Sequence, residues 1–112
     1  MRIFIRSAAQ ISIQNPLCDE WFENPIFYSQ THNRSIDPDF KSFIPIMEAR
    51  RMGRVMKRAI VTSKSVIPEE NRAALDAILT GTGLGSVEDT EKFLNALLKN
   101  DEEMLPPSNF MN

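Results

Sequence analysis

Hydrophobic residues recur at helical spacing between residues 47 and 65, and this pattern predicts an amphipathic helix there. The positions that share one face of this helix are Met52, Val55, Met56, Ala59, Ile60 and Ser63. A short helix should follow over about Pro68 to Leu75, because proline suits the first turn of a helix.

A second main helix is predicted from about Val87 to about Lys99. Ser86 and Asp89 are three residues apart, which is the spacing of a capping box. In that motif the hydroxyl and the carboxylate both satisfy backbone N–H groups at the start of the helix. Asp89 and its acidic neighbours also place negative charge where the helix dipole favours it.

Two stretches have the composition of β-strands. Residues 2–13 are rich in β-branched and aromatic types, and residues 77–80 form an apolar run that is too short for a helix. The second run leads through a glycine-rich turn into the helix over 87–99. The order of strand, turn and helix predicts an α/β fold, with a mixed sheet covered by two main helices.

The glycine-rich turn contains Gly81, Gly83 and Gly85. The third glycine comes too early for the dinucleotide-binding fingerprint, and no lysine follows it as in a P-loop. The next helix begins with acidic residues, which would repel a phosphate. We therefore expect a structural glycine turn that lets the helix pack closely on the strand.

Residues 14–43 are predicted to be an irregular, aromatic-rich insertion. Asn-Pro and Asp-Pro pairs mark turns along it, and its aromatic residues follow no clear period. These aromatic residues are Trp21, Phe22, Phe27, Tyr28, Phe40 and Phe43. With 112 residues, the chain has the length of a single domain, 1–112.

Composition excludes several classes of function. The formal net charge of −2 predicts neither nucleic-acid nor membrane-surface binding, and no apolar run approaches the length of a membrane span. The first residues lack the apolar segment of a secretory signal. One cysteine allows no internal disulfide, which favours a cytoplasmic protein, and one cysteine with one histidine predicts no metal site. We expect no cofactor.

Five cations lie within nine residues of the helix over 47–65, and two interpretations of them remain open. They are Arg50, Arg51, Arg54, Lys57 and Arg58. Such a run resembles a nucleic-acid patch, but the acidic net balance favours a solvated helix flank, with some cations paired to acids elsewhere. It would also suit contact with an acidic partner, since basic patches steer acidic proteins.

Residues 44–64, with the run MEARRM, and 78–98, with TGTGLG and DTEKFL, resemble the N-terminal part of β-ketoacyl-acyl carrier protein synthases. These are condensing enzymes of fatty acid and polyketide synthesis in the thiolase-like superfamily. Residues 106–112 also look like the segment that precedes the next helix in those enzymes. The resemblance implies a partial thiolase-like βα layer.

The resemblance implies no catalytic residue in this chain. The synthases use a cysteine at the start of a later helix and two histidines, and neither Cys18 nor His32 matches those positions. Two acidic residues follow Cys18, and nearby negative charge disfavours a thiolate. A Cys18–His32 dyad is the alternative, although nucleophilic catalysis would need accurate geometry from a turn-rich segment.

The resemblance suggests a non-catalytic N-terminal part of a synthase-like protein, inactive alone, with a structural or partner-binding role. Its partners would be a second copy of the chain or the missing C-terminal part of the synthase. The alternative is a free-standing module that binds acyl carrier protein through the basic helix over 50–58. A small enzyme of unrecognised chemistry is a third possibility.

Overall fold

The computed structural model describes residues 1–99, and every regular element within that range is helical. Three α-helices form its frame: α1 is Ile46–Ala49, α2 is Arg54–Val66 and α3 is Val87–Lys99. Three 3-10 helices lie between or before them. They are Glu20–Phe22, Phe40–Ser42 and Glu69–Ala74.

The predicted α/β fold is wrong, because residues 1–99 contain no strand and no sheet. The expected thiolase-like βα layer is therefore absent from this range. Ile5 and Leu79, one from each predicted strand, are 89% and 96% exposed. A strand needs a neighbour to take up its backbone groups. Residues 2–13 make an isolated long-range backbone hydrogen bond, in which Ile36 N donates to Ser12 O at 2.7 Å.

The helix predicted over 47–65 is divided in two. α1 ends in short-range bonds, with the N–H of Met52 donating to Ala49 O at 3.2 Å. Gly53 then adopts an extended conformation (φ −69°, ψ 165°) and is the N-cap of α2. Glycine is a poor helix former, and Gly53 lies against Ser86 and Asp89 at the start of α3. The backbone therefore leaves the helical conformation here.

The prediction for α3 is confirmed, with the bounds Val87–Lys99. Its start differs in detail from a capping box, because the Ser86 hydroxyl donates to Asp89 Oδ2 at 2.5 Å. The helix ladder begins with Thr90 N donating to Ser86 O at 3.1 Å. The short helix predicted near Pro68 is also present, as the 3-10 helix with Pro68 at its N-cap.

The hydrophobic core of residues 1–99 is small, with Ile44 at 2% and Val61 at 0% exposure. Polar contacts reinforce the packing of α2 against the segment that precedes α1. The Lys64 ammonium donates to Phe43 O at 2.8 Å, and the Ser7 hydroxyl donates to the carbonyl of Val66 at 2.9 Å. α2 is therefore the element on which the other segments assemble.

The molecule is open rather than closely packed. Its accessible surface is 9839 Å², whereas a compact protein of this mass exposes about 6,300 Å². Its radius of gyration is 17.6 Å, against about 13 Å for a compact domain of similar length. Much of the apolar surface of residues 1–99 is therefore available for contact with residues outside this range or with another molecule.

The aromatic segment over 14–43 is held by local bonds. Trp21 and Phe22 stack with ring centroids 4.0 Å apart, and Phe22 remains 73% exposed. The side-chain amide of Gln14 bonds to both backbone groups of Ile26, at 2.9 and 2.7 Å. The Tyr28 hydroxyl donates to the carbonyl of Ile13. This segment thus folds back on the residues just before it.

The stretch over 106–112, which contributes to the resemblance, lies outside the described residues. Among residues 1–99, no helix combines the length and the apolar character needed to cross a bilayer.

Candidate binding surface

The junction between α1 and α2 carries four cations that we call the basic surface. These are Arg50, Arg51, Arg54 and Lys57. The first two follow α1 directly, the third opens α2, and the fourth lies almost one turn further on. The three arginines are exposed and Lys57 is half-buried. The break at Gly53 therefore separates two cations that follow α1 from two that belong to α2, and one of each pair, Arg50 and Lys57, lines a common cavity.

The fifth predicted cation, Arg58, belongs to the packing of α2 rather than to this surface. Its guanidinium binds both oxygens of Asp37, with Nε to Oδ1 at 2.6 Å and an Nη to Oδ2 at 3.1 Å. Such a bidentate pair is well oriented. Arg58 and Asp37 side chains are 30% and 29% exposed, so the pair is partly screened by solvent.

The charges of the basic surface are not neutralised within residues 1–99. The ion pairs in this range join Arg58 to Asp37 and Lys92 to Glu88. None of them includes a residue of the basic surface. These four side chains can therefore pair with an acidic ligand or partner.

A buried carboxylate lies beside the start of α2. Asp89 is 7% exposed and, besides its bond with Ser86, lies close to Gly53, where a Cβ atom would stand 3.1 Å from its Cγ. The N-terminus of α2 has no side-chain cap, and its dipole favours negative charge nearby. Asp89 thus joins the starts of α2 and α3 and helps to hold the basic surface in place.

The prediction that the glycine turn lets a helix pack closely on a strand is wrong for residues 1–99. A Cβ atom added at Gly81, Gly83 or Gly85 would meet nothing within 4 Å. Gly85 instead has a φ of +63°, a conformation that glycine adopts without strain. The backbone N–H of Gly85 donates a hydrogen bond to Thr82 Oγ1 at 3.0 Å, within the turn itself.

The turn does stand over the apolar face of α2. A cavity of about 270 Å³ separates them, with Val55, Met56 and Ala59 on one side and residues 80–82, 85 and 86 on the other. The turn thus faces α2 across a cavity and is not closely packed against it.

Cys18 and His32 form no catalytic arrangement within the described range. The half-buried thiol of Cys18 donates to Asn15 O at 3.6 Å, and His32 is exposed with no hydrogen bond to Cys18. Across residues 1–99, no three histidine, cysteine, aspartate or glutamate side chains gather as they would around a metal ion.

The close approach of Gly53 to Asp89 was missed by the sequence analysis. A signal existed, since an isolated glycine within a helical pattern often has a packing reason. The partner residue could not be found in the same way, because Asp89 is 36 positions away along the chain.

No protein-family model matches this chain, and comparisons with curated proteins and with solved structures found no similar protein. The resemblance to condensing enzymes therefore stays a prediction.

Proposed function

We propose that this chain is a non-catalytic binding module whose basic surface docks an acidic protein of the acyl carrier type. The single observation that carries the proposal is the set of four clustered cations that have no acidic partner within residues 1–99. Arg58 differs from these four cations because it forms an ion pair with Asp37.

The distribution of charge favours an acidic protein over other anionic partners. The chain has a net charge of −2, so it lacks the broad basic field with which proteins track nucleic acid or anionic membranes. The four cations at the junction between α1 and α2 suit a compact acidic patch on a partner, which they would attract and orient. The acyl carrier is the candidate because carriers of the pathway suggested by the resemblance are acidic.

The second candidate is a structural role as the N-terminal part of a β-ketoacyl synthase-like protein. The observation that favours it is the open fold, with an accessible surface about half as large again as that of a compact chain. Exposed apolar residues such as Ile5 and Leu79 would be covered by a second copy or by another part of a synthase. This role is compatible with docking of a carrier on the basic surface.

Reversing charge on the basic surface should weaken carrier binding. We expect Arg51→Glu/Arg54→Glu to reduce affinity for a holo acyl carrier protein by about tenfold or more, because two attractions become repulsions. Both side chains are exposed, so the fold should be retained. Calorimetric titration measures the affinity, and the wild-type value should fall as salt is raised.

The matched control is Arg2→Glu/Arg6→Glu, which makes the same change of charge on two exposed residues at the other end of the chain. It should bind the carrier nearly as well as the wild type. Equal losses in the two double variants would mean that net charge alone matters, and no binding by the wild type would refute the proposal.

Association of the chain with itself is a separate prediction. We expect light scattering at micromolar concentration to give a mass of at least twice the 12.8 kDa of one chain, because each large apolar side chain left in water forgoes about 2 kcal/mol. A monomer of 12.8 kDa that unfolds cooperatively and binds no hydrophobic dye would contradict this.

A further inference from the structure

A cavity of about 480 Å³ lies beside the basic surface, between α1, the start of α2 and the segment over 37–44. This volume is within the range of small-molecule sites. The cavity is partly open, so a ligand could enter from solvent without disrupting the core.

The walls of the cavity are largely apolar. Buried Ile44 lies at the centre of the small core, and the half-buried ring of Phe40 lies in the 3-10 helix just before it. α1 contributes Ile46, which is 56% exposed, and Ala49, which is half-buried. The accessible parts of Phe40, Ile46 and Ala49 offer a surface that would gain from covering by an alkyl chain.

Three cations line the same cavity. Arg50, Lys57 and Lys41 contribute to its wall, and none of their side-chain nitrogens makes a hydrogen bond or ion pair within residues 1–99. Arginine and lysine side chains recognise carboxylate and phosphate through charge-assisted hydrogen bonds.

The two acids of the cavity wall are already engaged. Asp37 binds the Arg58 guanidinium through both oxygens. Asp39 accepts from the backbone N–H of Lys41 at 3.1 Å and from the Ser42 hydroxyl at 3.2 Å. Arg58 compensates the charge of Asp37, whereas Asp39 keeps its negative charge because both of its donors are neutral. Three cations and one uncompensated carboxylate therefore leave the cavity wall with a net positive charge.

We propose that this cavity binds an anion with an alkyl chain, specifically a medium-length fatty acid carboxylate. The carboxylate is held by Arg50 and Lys57, and the chain covers Phe40, Ile46 and Ala49. Charge without the apolar wall would suit a simple ion, and the wall without charge would suit a neutral ligand. The combination selects a molecule that has both parts. This inference does not rest on the proposed carrier docking, although both use Arg50 and Lys57.

The test compares octanoate, octanol and acetate as probes of the full chain. Calorimetry should give octanoate an affinity about tenfold or more above that of either other probe, since only octanoate uses both the cations and the apolar wall. In two-dimensional NMR spectra of the labelled chain, the amide resonances that shift should belong to residues 37–57.

Two variants divide the site into its parts. Arg50→Gln/Lys57→Gln should reduce octanoate affinity by about tenfold while leaving the weak affinity for octanol unchanged. Ala49→Leu should narrow the cavity and reduce octanoate affinity by about tenfold, yet it keeps every cation, so carrier docking should survive. Weaker octanoate binding in Ala49→Leu with intact carrier binding thus separates this proposal from the proposed function.

The proposal would be overturned if octanoate bound no better than octanol or acetate. It would also be overturned if the shifted resonances lay in the apolar groove on the other side of α2, lined by residues 59–78. Because both readouts use the wild-type chain, they decide the matter even if a variant fails to fold.

Discussion

Replacing Ile44 by alanine is expected to lower the free energy of unfolding by about 2–5 kcal/mol. Ile44 is 2% exposed and is one of two fully buried hydrophobic residues within residues 1–99. Removing most of its side chain would leave a void against Val61 and α2 that the small core has few neighbours to fill. Urea denaturation followed by circular dichroism measures the change.

The matched control is Ile3→Ala, which removes the same atoms from a residue that is 84% exposed. It should change the stability by less than about 0.5 kcal/mol. If both variants unfolded at the same urea concentration as the wild type, Ile44 would not be part of a core, and the packing described here would be wrong.

Adding a single methyl group at Gly53 should also be costly. The Cβ atom of Gly53→Ala would overlap Asp89 Oδ2 and lie 3.3 Å from Ser86 Oγ. Overpacking of this kind costs about 1–3 kcal/mol, because the buried Asp89 carboxylate must shift from its position and strain its bond with Ser86. The same denaturation experiment measures it.

Two further variants test the cause of that loss. Gly83→Ala adds its methyl group in open space and should be within about 0.5 kcal/mol of the wild type. In an Asp89→Ala background the overlapping oxygen is gone, so the added cost of Gly53→Ala should shrink, a coupling that a double-mutant cycle reveals. Additive costs would show that Gly53 and Asp89 do not touch.

The helices could be predicted because their signals are local. The apolar spacing near 52–63 and the cap before Val87 are carried by neighbouring residues, and both helices are present. The break at Gly53 could not be predicted as firmly, because its contact with Asp89 joins distant parts of the chain. Local pattern thus identifies a helix better than it fixes where the helix is interrupted.

The strand predictions failed for a related reason. Residues 2–13 and 77–80 have suitable residue types, yet a strand forms only where another segment offers its backbone groups. Within residues 1–99 neither stretch has a neighbouring strand, since the bond from Ile36 N to Ser12 O is isolated, and side chains such as Leu79 stay in solvent. Suitable residue types therefore indicated strand propensity without indicating a sheet.

The five cations could be identified from the sequence, but the sequence did not show that Arg58 is paired while the other four are not. Arg58 differs from its neighbours only because Asp37, 21 residues earlier, folds back onto α2. No sequence signal in that turn-rich segment indicates which cation each of its acidic residues pairs with. The structure thus reduces five candidate contact residues to four whose charge is free of ion pairs within residues 1–99.

The most direct test of the central claim is to map where an acidic acyl carrier protein contacts the isotope-labelled chain by two-dimensional NMR. The binding proposal predicts salt-sensitive shifts concentrated at residues 50–57, with α3 almost unchanged. Shifts concentrated on α3, or the absence of any shift at low salt with carrier in excess, would contradict it.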